Sequence, residues 1–151
     1  ELFEQSDVFA RYPELKIIVC HCGGTLSRFI PRAESSGVQG GGSAGINLGG
    51  DVPHAGNETD PRNNLFFDTC VYHQPGIDLL VDVIGADNVV FASEMIGAVK
   101  SVDQRTGRYF DDTKPYIDAV PGITESDKRK IFETNALKVY PRLKNYVKVT
   151  A

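Results

Sequence analysis

Three apolar runs organise this chain, and two of them break off at a chemically active side chain. Lys16-Ile17-Ile18-Val19-Cys20 leads into His21 and then Cys22-Gly23-Gly24, while Asn88-Val89-Val90-Phe91-Ala92 leads into Ser93-Glu94. Short β-branched runs of this kind read as buried strands. The third run, Leu65-Phe66-Phe67-Asp68-Thr69-Cys70-Val71-Tyr72, predicts a strand over residues 65–72. Pro75 then opens a helix through Ile84 that Gly85 closes. Strand, helix and strand with short joints are the pattern of a parallel, right-handed unit, so three parallel strands are expected. In the first twelve residues Leu2, Phe3, Val8, Phe9 and Tyr12 lie near helical spacing, and Tyr12-Pro13 ends that pattern. Residues 25–33 predict a helix that Pro31 kinks or stops. Asp112-Thr113-Lys114-Pro115 introduces a short helix around residues 116–120. Thr124 as N-cap, with Asp127 three residues on, starts a longer helix with Ile131, Phe132 and Leu137 as its apolar positions and Pro141 at its end. Residues 35–62 differ in kind: Gly40-Gly41-Gly42, Gly49-Gly50, Pro53 and Asp60-Pro61 without apolar period predict a long glycine-rich loop.

Composition narrows the function classes. A chain of 151 residues is one ordinary domain. A net charge of −4 gives no general attraction for nucleic acid or an anionic membrane. No apolar run reaches membrane length, so neither nucleic acid nor membrane is expected as a partner. Three cysteines, Cys20, Cys22 and Cys70, are odd in number and lack zinc-knuckle spacing. They predict reduced thiols in a cytoplasmic protein rather than a disulfide framework. The chain opens on Glu1 without a signal-peptide pattern or an initiator methionine, which leads us to expect that it begins within something larger. Gly40 to Gly45 resembles a phosphate loop only in composition, since the Gly-Lys-Ser/Thr ending is missing. Asn57-Glu58-Thr59 is a formal glycosylation match without a secretion signal, and residues 125–130 read as the solvated face of a helix.

A strand ending in His-x-Gly-Gly, a strand, helix and strand ending in Ser-Glu, and a helix reading Ile131-Phe132-Glu133-Thr134-Asn135-Ala136 together resemble the carboxyl half of an amidohydrolase-superfamily barrel. The resemblance is to the amidohydrolase-2 type, the branch that contains decarboxylases and hydratases. Residues 66–119, FFDTCVYHQPGIDLLVDVIGADNVVFASEMIGAVKSVDQRTGRYFDDTKPYIDA, are similar to its zinc-dependent hydratases of unsaturated oxo-tricarboxylates in bacterial protocatechuate and gallate breakdown. Glu94, where the strand-end residue is usually aspartate, favours the hydratases. The resemblance covers most of the chain outside residues 35–62. It implies an α/β fold class, the C-terminal part of an amidohydrolase-like (β/α)8 TIM barrel with about three parallel strands and their helices. A full barrel needs ~250 residues or more. Residues 1–151 are then part of a single barrel domain. The family's His-x-His on the first strand and its histidine on the fifth have no counterparts in this sequence, so the other zinc ligands are expected outside it.

The resemblance also implies roles. Glu94 would bind the metal and take a proton from attacking water; otherwise it is a capping or solvated carboxylate. His21 would be the matching acid, since imidazole exchanges protons near neutrality; otherwise it is a structural histidine of the rim. Cys22 is expected to be a small buried packing residue. A small polycarboxylate substrate calls for a cation, for which Arg32 is the candidate and Arg28 its competitor. Tyr72 and His73 are candidates for hydrogen bonds to substrate. Lys100 and Arg105 could supply charge locally or to a neighbouring subunit of a homo-oligomer. His54 fits no metal motif. The alternatives are a metal-dependent decarboxylase or hydrolase of the same superfamily, and an inactive fragment or barrel-completing binding module.

Overall fold

The computed structural model describes residues 8–24, 64–94 and 100–147. Its three strands are β1 (Ile17–Val19), β2 (Leu65–Asp68) and β3 (Val89–Val90). They form one parallel sheet in the order β1-β2-β3. Ile17 to Val19 pair with Leu65 to Phe67, and Phe67 and Asp68 with Val89 and Val90. Phe66, Phe67, Val89 and Val90 are all buried, which is why these runs are continuously apolar rather than alternating. At the sheet's lower end Asn64 receives Lys16 Nζ and donates to the Pro13 carbonyl, while Asn88 donates to the Leu65 carbonyl. These side chains tie the starts of the strands together.

Helix α1 (Val8–Arg11) precedes β1, and α2 (Gln74–Ile84) links β2 to β3. Ile77, Leu80 and Ile84 recur at helical spacing and are buried against Phe67 and Val89, with Ile117, Val120 and Ile131 completing the core. Gly85 has φ +78° and donates to the Val81 carbonyl, a left-handed close that a side chain would strain. Helix α3 (Lys114–Asp118) follows, then α4 (Glu125–Arg129). The capping box expected at Thr124 is present: Thr124 Oγ1 accepts the Asp127 N–H, and Asp127 Oδ2 accepts the Thr124 N–H.

The long helix predicted from Thr124 changes register in its middle. Lys130–Thr134 is a π-turn, after which α5 (Asn135–Val139) resumes. A π-turn takes a carbonyl out of the ordinary ladder. Here Ile131 O accepts the Phe91 N–H at 3.0 Å. Asn135 adds two bonds of 2.7 Å from its amide to the Ala86 and Val89 carbonyls, and the Phe91 and Phe132 rings meet at 5.2 Å. The helix is thereby stapled to β3. Pro141 ends it as expected and also starts a 3-10 turn over Pro141–Asn145.

Both C-terminal strands are shorter than their apolar runs. The expected strand over 65–72 stops at Asp68 and that over 88–92 at Val90. The reason is the choice of hydrogen-bond partner: Phe91 N–H goes to the π-turn, and Ala92 N–H goes to the Thr69 hydroxyl at 2.9 Å. The three cysteines are free, and no helix among the described residues is long and apolar enough to cross a membrane. The expected helix over 25–33, the glycine-rich stretch 35–62, Arg28, Arg32 and His54 lie outside the described residues.

Candidate metal and acid–base site

The C-terminal ends of the three strands converge on four side chains. After β1 the backbone turns left-handed for four residues, with φ of +55° at His21, +55° at Cys22, +76° at Gly23 and +61° at Gly24. Glycine accepts this freely, whereas each residue with a Cβ is disfavoured by roughly 1–2 kcal/mol. Glu94 has φ +49° at the end of β3's extension. Among the described residues, His21, Cys22 and Glu94 are the non-glycine positions with positive φ. Strain at such positions persists only where the surroundings hold it, and it clusters at functional sites.

The His21 ring is oriented from behind. Its Nδ1 lies 3.2 Å from the Cys70 carbonyl, which can only accept, so Nδ1 carries the hydrogen. This leaves Nε2 facing Glu94, 3.8 Å from Oε1. On the other side Tyr72 donates its hydroxyl to Glu94 Oε2 at 2.6 Å, and the Cys70 thiol lies 3.6 Å from the same hydroxyl. The Tyr72 hydrogen bond holds the Glu94 carboxyl below its ordinary range, with smaller help from Cys70 and from the positive potential of His21. Burial, reinforced by the bond to Glu94, pushes the Tyr72 hydroxyl up, so it stays protonated and remains a donor. The His21 and Glu94 side chains are 60% and 37% exposed, so their mutual attraction is screened by water.

Two further groups shape the rim. The buried Asp68 carboxylate accepts the Cys22 N–H at 3.3 Å and the Cys70 N–H at 3.0 Å through the same oxygen, Oδ1. On the β3 side the buried Thr69 and Thr113 hydroxyls both donate to the Ala92 carbonyl, at 3.1 and 2.8 Å. Cys22 is buried in the core, as its sequence context predicts, and burial raises its thiol pKa to about 12.

Donor atoms of His21, Cys70 and Glu94 all lie within 4.8 Å of one another. Imidazole nitrogen, thiol sulfur and carboxylate oxygen together suit a borderline divalent ion such as zinc, so these residues fit a metal. Burial raises the Cys70 thiol to about 11, and it would have to release that proton to serve as a ligand. Cys70 is the member that sequence reasoning missed. It sits two residues from both Asp68 and Tyr72, past the end of β2 where the Val71 N–H turns back to the Thr69 carbonyl, so no strand alternation marks it along the chain. His73 caps α2 with its carbonyl and is exposed outside the cluster. Lys100 is exposed, and Arg105 is paired with Asp103 at 3.1 Å.

Parallel strands with reactive groups at their carboxyl ends define the class of α/β proteins whose sites are built on strand ends. The chain belongs to the amidohydrolase family: the family model described as Amidohydrolase matches residues 1–142. Its fold is accordingly part of the amidohydrolase TIM barrel, here three parallel strands with their helices. The chain is 44% identical over 139 residues to 2-keto-4-carboxy-3-hexenedioate hydratase of Sphingobium sp. (strain NBRC 103272 / SYK-6), covering 92% of this chain and 37% of that protein. The crystal structure of 4-oxalomesaconate hydratase from Rhodopseudomonas palustris matches with 46% identity and a TM-score of 0.69, over 93% of this chain and 39% of that one. A 2,6-dihydroxybenzoate decarboxylase from Rhizobium, at 24% identity and TM-score 0.51 over 89% of this chain and 37% of its own, shares the fold. The chain thus spans well under half the length of each of these relatives.

Proposed function

We propose that this chain carries the closing strands of a metal-dependent hydratase that adds water to 4-oxalomesaconate, giving 4-carboxy-4-hydroxy-2-oxoadipate. The observation that carries this reading is the convergence of Glu94, His21 and Tyr72 at three strand ends, in a chain 44% and 46% identical to two hydratases of this kind. Glu94 would hold the metal, with Cys70 as a further donor within reach and the remaining ligands supplied from outside this sequence, while His21 Nε2 stays free for proton transfer. When bound, a zinc ion supplies Lewis acidity that makes water a better nucleophile near neutral pH.

Hydration of a double bond conjugated to a ketone needs one group to remove a proton and another to deliver one. Glu94, ionised and oriented by Tyr72, takes the proton from the attacking water as the oxygen bonds to the carbon remote from the ketone. The π electrons move toward the ketone oxygen, and His21 Nε2 delivers a proton to the carbon beside it. Because Nδ1 is committed to the Cys70 carbonyl, the proton exchanged by His21 is the one on Nε2, which faces the substrate side and Glu94. Once these two side chains, 3.8 Å apart here, close to hydrogen-bond distance, the proton on Glu94 returns to His21 and restores both groups. Arg32 is assigned to a substrate carboxylate, and His73 to a substrate hydrogen bond at the edge of the site. Residues 1–151 belong in this reading to one barrel domain of a cytoplasmic homo-oligomer.

The test is metal content and turnover of 4-oxalomesaconate by the purified longer protein of which this chain forms the closing strands, with its intact mass. About one zinc per chain, with activity lost at least ~100-fold in Glu94→Gln, is the expected result. Absence of turnover in metal-loaded protein would sink the reading.

A further inference from the structure

We propose that Asp68 is a positioning residue: its single buried oxygen holds the left-handed turn after β1 and the Cys70 peptide together, and so aims the His21 ring at Glu94. A buried carboxylate is costly unless it is hydrogen-bonded. Asp68 is 8% exposed, and its Oδ1 receives two backbone N–H groups, one from Cys22, 46 residues before it, and one from Cys70, two residues after it. The turn's own bonds use the Gly23 and Gly24 N–H groups, which reach the Cys20 and His21 carbonyls. The Cys22 N–H goes to Asp68 instead. The turn thus contains two consecutive side-chain-bearing residues at φ +55°, a conformation that needs an outside tether.

The same oxygen locates the ring at its other end. By accepting the Cys70 N–H, Asp68 orients Cys70, whose carbonyl receives His21 Nδ1–H. Asp68, Cys22, His21 and Cys70 therefore form a closed circuit in which one carboxylate fixes both the backbone and the ring of His21. Asp68 lies outside the donor cluster of His21, Cys70 and Glu94, and its Oδ1 is occupied by backbone N–H groups, so its role is exerted through His21.

The kinetic consequence rests on the hydratase reading, whereas the geometric one does not, and the test separates them. Imidazole 15N and 1H resonances are recorded on the metal-free form of the whole protein that contains this chain, with His21 assigned as the resonance that a His21→Ala variant loses. In the wild type His21 is expected to show a hydrogen fixed on Nδ1. Folded Asp68→Ala should lose that signature and, in the metal-loaded enzyme, lose roughly 100-fold in kcat with a smaller change in KM. Asp68→Asn keeps an oxygen at the Oδ1 position and should fold with the His21 signature restored. Folded Asp68→Ala with the wild-type signature overturns the proposal. Should Asp68→Ala fail to fold, Asp68→Asn decides: a folded variant with the signature supports the proposal, and loss of fold or signature overturns it. A wild type that shows the signature without any hydratase turnover would overturn the functional reading and leave the Asp68 circuit standing.

Discussion

The ends of β1 and β3 bring the two candidate proton-transfer groups to the same place by opposite means. Glu94 is approached through a segment tethered by neutral groups from three directions: Phe91 by the π-turn carbonyl, and Ala92 by the Thr69 and Thr113 hydroxyls. His21 rides on a strained left-handed turn held by one charged side chain, Asp68. The difference shows two ways to place a reactive group at a strand end. Several modest hydrogen bonds share the task on one side, so each is partly replaceable. On the other side a charge-assisted pair at a single oxygen does most of it.

Breaking the single tether should therefore cost most. Asp68→Ala is expected to destabilise the protein by about 3 kcal/mol in chemical denaturation, since two charge-assisted bonds are lost and the Cys22 and Cys70 N–H groups lose their acceptor. A loss no larger than that of a threonine variant would erase the contrast. Thr69→Val comes next, at about 2 kcal/mol, because its oxygen both accepts the Ala92 N–H and donates to the Ala92 carbonyl. Thr113→Val removes one of two donors to that carbonyl and should cost about 1 kcal/mol. Combined with Thr69→Val it should cost more than the sum, which a double-mutant cycle would measure; strict additivity would mean that the two hydroxyls do not share a task.

Tyr72→Phe should disturb stability least and act on pH dependence instead. In the folded protein Glu94 lies below its ordinary carboxylate range, chiefly because Tyr72 donates to it. Its stabilising contacts are thus complete above the unfolded pKa and are lost as pH falls through the lowered folded value. As the base it works only when ionised, so the acidic limb of the rate profile should lie low in the wild type and move to higher pH in Tyr72→Phe. An unmoved limb would show that Tyr72 does not tune Glu94. The Asp127 carboxyl, held low first by Thr124, follows the same sign: its share of the α4 cap is lost only as pH falls below the ordinary carboxylate range.

Much of this arrangement is local enough to read along the chain. Apolar continuity marks the three strands, Pro75 and Gly85 bound α2, and Thr124 with Asp127 announces α4, because each signal depends on neighbours a few residues away. His21 and Glu94 stand out for the same reason, being the polar residues on which apolar runs end. Other features depend on partners far along the chain. The outgoing residues of β2 and β3 look like strand continuations, yet Ala92 bonds to a hydroxyl and Phe91 to a helix carbonyl. The π-turn has no local cue beyond ordinary helix formers, and Asp68 reads as one polar residue in a strand. Cys70 joins the site only because the chain leaving β2 passes behind the His21 ring.

Sequence by itself determined which segments are strands and helices and which reactive groups sit at their ends, since burial patterning and capping act over a few residues. Only the tertiary structure decided how those groups are aimed. The left-handed turn at His21, the partners of Asp68 and the hydrogen on Nδ1 follow from which donors and acceptors meet across the sheet, and hydrogen-bond partners distant in sequence leave no periodic trace along the chain.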